Sequence, residues 1–276
     1  MIETLRNLQP AMIIVLIAAF LTLETLVPYV THYRNRKKHT IRNLILVSIN
    51  FVVNGLIGSW MVAWLSTTQK LGWGLLNMVH LAPWVSAIAG VILIDLDSYV
   101  GHILFHKVSW LWRIHQVHHS DDELDSTSAL RFHPLESVAQ AVWRTASFGL
   151  LGIPLPSFVL FLTFLLPVLF LQHANVRVPR WLESSLGAAV VLSSWHKIHH
   201  SDEQRFTDSH YGNLLTFWDR LFGTAHRGVN VEELRWGLEE FRADEDQTVS
   251  SQLMLPFKNK QRAVREGISV HMRNFV

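Results

Sequence analysis

Apolar residues in this chain are gathered into long blocks rather than spread at one period, and several blocks have the length of a membrane crossing. Ala11 to Val30 is about twenty residues with one acid, Glu24, enough for a helix to cross a hydrocarbon core of roughly 30 Å. Tyr33 to Arg42 then sets Arg34, Arg36, Lys37, Lys38 and Arg42 in a predicted short loop. The positive-inside rule assigns that loop to the cytoplasm and the amino terminus to the opposite side. A second span is predicted from Leu44 to Leu65, with Asn50 and Asn54 on one face turned toward other helices. Ser66 to Pro83 reads as an outer or interfacial segment, with Trp73 and Trp84 at headgroup depth, and a third span runs from about Trp84 to His106. The start Met-Ile-Glu lacks a basic n-region and no small-x-small site follows, so the first block is expected to be a retained anchor.

From Leu135 to Gln172 a further apolar stretch is interrupted by Gly152, Pro154 and Pro156, which predicts two passes joined by a tight outer turn. After Asn175 the chain is polar apart from Leu186 to Leu192, too short to span, and is expected to form a cytoplasmic cap. The predicted class is all-α: a multi-span helical membrane protein, of four or five spans, with a histidine-rich cytoplasmic helical cap. Composition agrees, since 49% of residues are hydrophobic and only 17% charged, against roughly 25% charged in soluble domains. The net charge of +2 gives no ground for a nucleic-acid partner. Absence of cysteine excludes disulfides, thiolate ligands and a thiol nucleophile.

The chemistry lies in the histidines. His102, His106, His115, His118 and His119 follow the pattern His-x3-His, eight residues, His-x2-His-His, and His196, His199 and His200 repeat His-x2-His-His. Imidazole suits iron, zinc, copper and nickel, and one helical turn brings positions one, four and five together. Each cluster alone could be a zinc site or a surface patch; together they predict a polynuclear metal site. Two passes separate His119 from His196, so an even number of crossings puts both clusters on the cytoplasmic face. Asp95, Tyr99, His102 and His106 share one face of the third span, where Asp95 and Tyr99 are expected to hold ligand rings. His32, His39, His80, His226 and His271 lack partners at useful spacing and read as solvated or interfacial.

The chain resembles the integral-membrane fatty acid hydroxylase and sterol desaturase superfamily of di-iron enzymes. The likeness rests on Asp95-x3-Tyr99-x2-His102-x3-His106, on the run Trp110 to Ser120, and on Arg131-Phe132-His133-Pro134-Leu135-Glu136. It continues through His173-x-Asn175-Val176, Trp195 to Ser201, Tyr211-Gly212-Asn213 and Trp218 to Thr224, and so covers roughly Ile92 to Thr224. Hydropathy predicts transmembrane helices over residues 1–91 and a polar cytoplasmic tail over 227–276, while the resemblance implies a catalytic region over 92–226 that includes the membrane hairpin at about 135–172. It implies that the eight cluster histidines and His173 ligate two iron ions, zinc being the alternative. His133 is divided between a helix start with Pro134 at N1 and a ligand or a partner of one. The superfamily usually has asparagine before Tyr-Gly, where this chain has His210; His210 and Asn175 are further candidates for a ligand or a partner of one.

Such a site is expected to use dioxygen and external electrons to hydroxylate or desaturate a fatty acyl, sterol or isoprenoid lipid. No fused electron carrier is visible, so a separate cytochrome or ferredoxin-type donor is expected. The rival classes are a zinc-dependent membrane hydrolase, although no His-Glu-x2-His occurs, and a non-catalytic metal-binding membrane protein.

Overall fold

The computed structural model describes residues 2–31 and 33–258, and among these every regular element is helical, with three isolated β-bridges. Helix α1 (Ile2–Leu26) begins nine residues before the apolar block and stops before Pro28, which bridges to Val176 instead. Helix α2 (Arg36–Lys70) is also longer than the predicted span, at 35 residues. Its start is set by Asn35, whose side chain accepts from the Lys38 amide, so Arg36, Lys37, Lys38 and Arg42 lie in its first turns rather than in a loop. Cations oppose the dipole at a helix N-terminus, and here acids offset them: Arg36 meets buried Glu24 at 3.1 Å, and Lys38 and Arg42 meet Asp244 at 2.5 and 2.8 Å.

Short α3 (Leu75–Met78) precedes α4 (Pro83–Lys107), which has Pro83 at its first position, and α5 (Ser109–His119) follows after a break at Val108. A 3-10 turn (Ser126–Leu130) leads to the hairpin of α6 (Pro134–Leu151) and α7 (Leu155–His173). Gly152, at φ 68°, ends α6 in the left-handed conformation that favours glycine, and its backbone abuts Gly74, where a Cβ would come within 2.2 Å of the Gly152 amide. The cap then contains α8 (Arg180–Ser185), α9 (Ser193–His199), α10 (Gln204–Thr207), α11 (Phe217–Leu221) and α12 (Val249–Met254).

Helices α1, α2, α4 and α7 are long and apolar enough to cross a membrane, and the chain is an integral membrane protein. Helix α6, predicted as a pass, is outside that set because it carries Glu136, Gln140 and Arg144; Glu136 faces α5 and Arg144 lies in the field of Asp97 on α4. Lipid tails are as apolar as leucine, so interhelical packing and hydrogen bonds hold such helices together. Asn50 of α2 supplies both: it donates to the Phe132 carbonyl and accepts from Ser137. Asn54, expected on the same inward face, is exposed. Met61 and Leu65 of α2, Ile94 of α4, Phe148 of α6 and Phe161 of α7 form the core of the spans, and Leu214 of the cap joins them.

The segment read as a tail packs, over its described part, back onto α5. Leu238, Phe241 and Leu255 surround Val117, and Gln247 and Gln252 bond Ser120.

Candidate metal centre

Nine histidines from four helices and one cap residue converge at one end of the spans. Helix α4 brings His102 and His106, α5 brings His115, His118 and His119, α7 ends on His173, and α9 brings His196 and His199 with His200 just beyond it. Their ligand atoms form two groups, each lying within 4.8 Å: His102, His106, His115, His119 and His199 in one, and His118, His173, His196 and His200 in the other. The groups cut across the sequence clusters. On α5 the i, i+4 pair His115 and His119 points one way and His118 the other, and in the second cluster His196 and His200 separate from His199. A helix turning 100° per residue divides its side chains in this way. The cages adjoin, with the rings of His119 and His200 stacked at 4.6 Å.

The donor set fits metal ions. In the second cage the Nε2 atoms of His118 and His196 lie 3.2 and 3.1 Å from His173 Nε2, and His200 Nε2 lies 3.1 Å from His196 Nε2. Ligands about 2.0–2.1 Å from a shared ion come about this close to one another. In the first cage His115 Nε2, His199 Nε2 and both ring nitrogens of His106 and His119 are buried without hydrogen-bond partners, Asp208 standing 3.6 Å from His106 Nδ1, which is costly unless something else binds them. Burial first, and then the neighbouring imidazoles, hold His118, His119, His196 and His200 well below the usual imidazole value. Burial and His102 do the same to His199. Neutral rings keep the lone pairs that metal ligation needs.

The partners that aim these rings are mostly not the expected ones. His115 Nδ1 donates to Glu136 Oε1 at 2.8 Å, His102 Nδ1 to the Tyr211 carbonyl at 2.9 Å, His199 Nδ1 to the Ser209 carbonyl at 2.7 Å, and His173 Nδ1 to the Leu169 carbonyl at 2.9 Å. Each donation leaves Nε2 as the free lone pair. Asp95 and Tyr99 touch no ligand ring: Asp95 accepts from the Leu214 amide and Trp218 Nε1, and the Tyr99 hydroxyl pairs with Thr224. They anchor the segment that carries Tyr211, and so act on His102 at one remove. Asn175 joins the α1–α2 connection instead, bonding both backbone groups of Val30.

His133 is a cap: its Nδ1 accepts from the Leu135 amide and its Nε2 donates to the Leu253 carbonyl, so both nitrogens are used outside the cages. His210 lies outside both cages too. Its Nε2 accepts from the His226 amide, its ring packs on Trp195 at 4.4 Å, and its φ is 52°. Asparagine tolerates that left-handed region better than most residues, which accounts for its usual presence there in backbone terms.

His39 corrects the solvated reading. It is buried, with Nε2 on Asp121 at 2.8 Å and Nδ1 on Asp125 at 3.2 Å, because the loop after α5 folds back against the start of α2. Burial pushes the Asp121 carboxyl up, but the charges of His39 and Arg131 outweigh it and hold the group well below the usual carboxylate range. Arg131, also buried, ties this loop to the Val117 carbonyl, Asn43 and Gln247. His80 and His226 are exposed, while His32 and His271 lie outside the described residues. Glu136 as the partner of His115, and the Asp121 and Arg131 network around His39, are not found from the sequence because the partners lie on other elements; the signals present are the motif from Arg131 to Glu136 and an acid in the first turn of a proline-started helix.

Two adjacent, buried, all-imidazole cages at the ends of apolar helices define a metal-binding integral membrane protein. The fatty acid hydroxylase family model matches residues 87–224, half of the chain, and the chain belongs to that family. Relatives include the ornithine lipid hydroxylase OlsE of Rhizobium tropici, 30% identical over 50% of this chain and 41% of its own length. The alkylglycerol monooxygenase of Homo sapiens is 31% identical over 54% of this chain and 32% of its own. A cholesterol 25-hydroxylase-like protein of Danio rerio is 32% identical over 50% and 54%. The chain thus spans less than half the length of the first two. No solved structure matches.

Proposed function

We propose that the chain holds two iron ions, one in each cage, and hydroxylates a membrane lipid with dioxygen. The observation that carries this reading is the pair of adjoining cages with converging, otherwise unbonded imidazole lone pairs. His102, His106, His115, His119 and His199 would hold one ion, and His118, His173, His196 and His200 the other. Iron, when bound, supplies the reduction of dioxygen to an oxidant able to attack an unactivated C–H bond, which no side chain can do. The protein's part is orientation and dryness. Glu136 and the carbonyls of Leu169, Ser209 and Tyr211 fix four ring tautomers, and burial keeps water from competing for the site.

The relatives' names support hydroxylation over desaturation, and aliphatic lipids such as an acyl lipid, an ether lipid or a sterol as the substrate class. Electrons come from a separate cytochrome or ferredoxin-type carrier, and the basic start of α2 supports a cytoplasmic side for the cages. The test is metal analysis of protein purified without chelators, followed by dioxygen uptake with a reductant and a lipid mixture. Two irons per chain and lipid-dependent uptake are expected. Zinc without uptake would replace this reading with a hydrolase or a non-catalytic metal protein.

A further inference from the structure

The cap is not wholly aqueous: one part of it lies at the depth of the spans. Asp95 sits twelve residues from either end of α4, about 18 Å along the axis from each, near the middle of a span that must cross roughly 30 Å of hydrocarbon. Yet Asp95 is bonded by the Leu214 amide and by Trp218 Nε1, at 3.1 and 2.8 Å. Leu214 packs with Ile94 of α4 and Phe161 of α7, and Phe222 stacks on Tyr99 at 5.6 Å.

Non-helical backbone survives at that depth only where protein satisfies its polar groups, and here it does. The amides of Tyr211 and Gly212 donate to Asp219, the Thr216 amide to the Ala189 carbonyl, and the Val191 amide to the Leu214 carbonyl. The carbonyls of Tyr211 and Asn213 accept from His102 and Gln172. The guanidinium of Arg220 folds back to the Gly187 and Ala188 carbonyls, beside Trp195. Beside Arg220, itself exposed, the outward side chains are apolar: Phe217, Leu221 and Phe222 are each more than half exposed. On α4 itself Ile88, Ile92 and Val100 are exposed as well.

We propose that residues 211–222 form a wedge inserted into the bilayer leaflet on the metal-site side, with Phe217, Leu221 and Phe222 in contact with its acyl chains. The occupant follows from depth, since the wedge hangs from mid-span Asp95 and turns Phe217, Leu221 and Phe222 outward. The wedge also holds His102 through Tyr211, so the metal centre is built partly on a segment seated in lipid. The inference is independent of which metal binds and which reaction follows.

The cysteine-free chain permits a direct test. Single variants Phe217→Cys, Leu221→Cys and, as an aqueous reference, Glu203→Cys are labelled with bimane and returned to phosphatidylcholine vesicles. Chains brominated near mid-length should quench most of the emission at positions 217 and 221 and little at 203, and aqueous iodide should do the reverse. Iodide quenching at 217 and 221 equal to that at 203 would overturn the proposal by placing α11 in water. Quenching by neither agent would overturn it too, since a second copy of the chain would then cover the face. Two test positions guard against failure of one variant to fold.

Discussion

Glu136 offers a sharp test of how the first cage is held. It is fully buried, and its Oε1 accepts from His115 Nδ1 at 2.8 Å and from Gln140 at 3.1 Å. The bond determines which nitrogen of His115 keeps its proton, and so directs the Nε2 lone pair into the cage. Glu136→Gln retains an acceptor of the same shape but removes the charge. Hydrogen bonds to charged groups contribute roughly 1.5–3 kcal/mol and neutral ones roughly 0.5–1.5, so the change should cost about 1–1.5 kcal/mol. That is about tenfold in metal affinity. Glu136→Ala additionally leaves the buried His115 N–H unpaired, and its loss should approach the upper end of the roughly 10–100-fold range for outer partners of metal ligands. Competition against a chelator of known affinity, with metal counted in the membrane-inserted protein, measures both. Unchanged metal affinity in the Ala variant would refute the argument that this carboxylate orients His115.

The division of histidines between cages predicts that His118→Ala combined with His196→Ala removes little more metal than either alone, whereas His118→Ala with His199→Ala strips both cages; metal counts on inserted protein decide. Acid should release metal. The depressed values of His118, His119, His196, His199 and His200 mean that the unfolded chain binds more protons, so stability and occupancy are full above about pH 6.5 and fall below it, as metal retention against pH will check. His210→Asn should keep metal and melting temperature, because asparagine accepts a positive φ, while His210→Val should lose roughly 1–3 kcal/mol to backbone strain, read by thermal unfolding. Cysteines introduced at Lys37 and Glu203 should be labelled by an impermeant maleimide from one and the same side, and opposite-side labelling would refute the cytoplasmic placement of both.

Much of this protein is legible in its sequence because the relevant forces are local or one-dimensional. Twenty apolar residues need a membrane whatever they pack against, which is why the blocks at α1, α2, α4 and α7 could be read directly. His-x3-His and His-x2-His-His bring rings together through helical geometry alone. Element ends were less legible: Asn35 and its bond to Lys38, and the acids Glu24 and Asp244 opposite the basic residues, extend α2 into what reads as a loop. Only the tertiary structure decided how the rings divide into cages, because neighbours on α5 face opposite ways and meet partners from α4, α7 and α9. It also decided what orients them. Glu136, the Tyr211 and Ser209 carbonyls, and the burial of His39 between Asp121 and Asp125 depend on contacts between residues far apart in the chain, where hydrogen-bonding capacity is visible in the sequence but the partner is not.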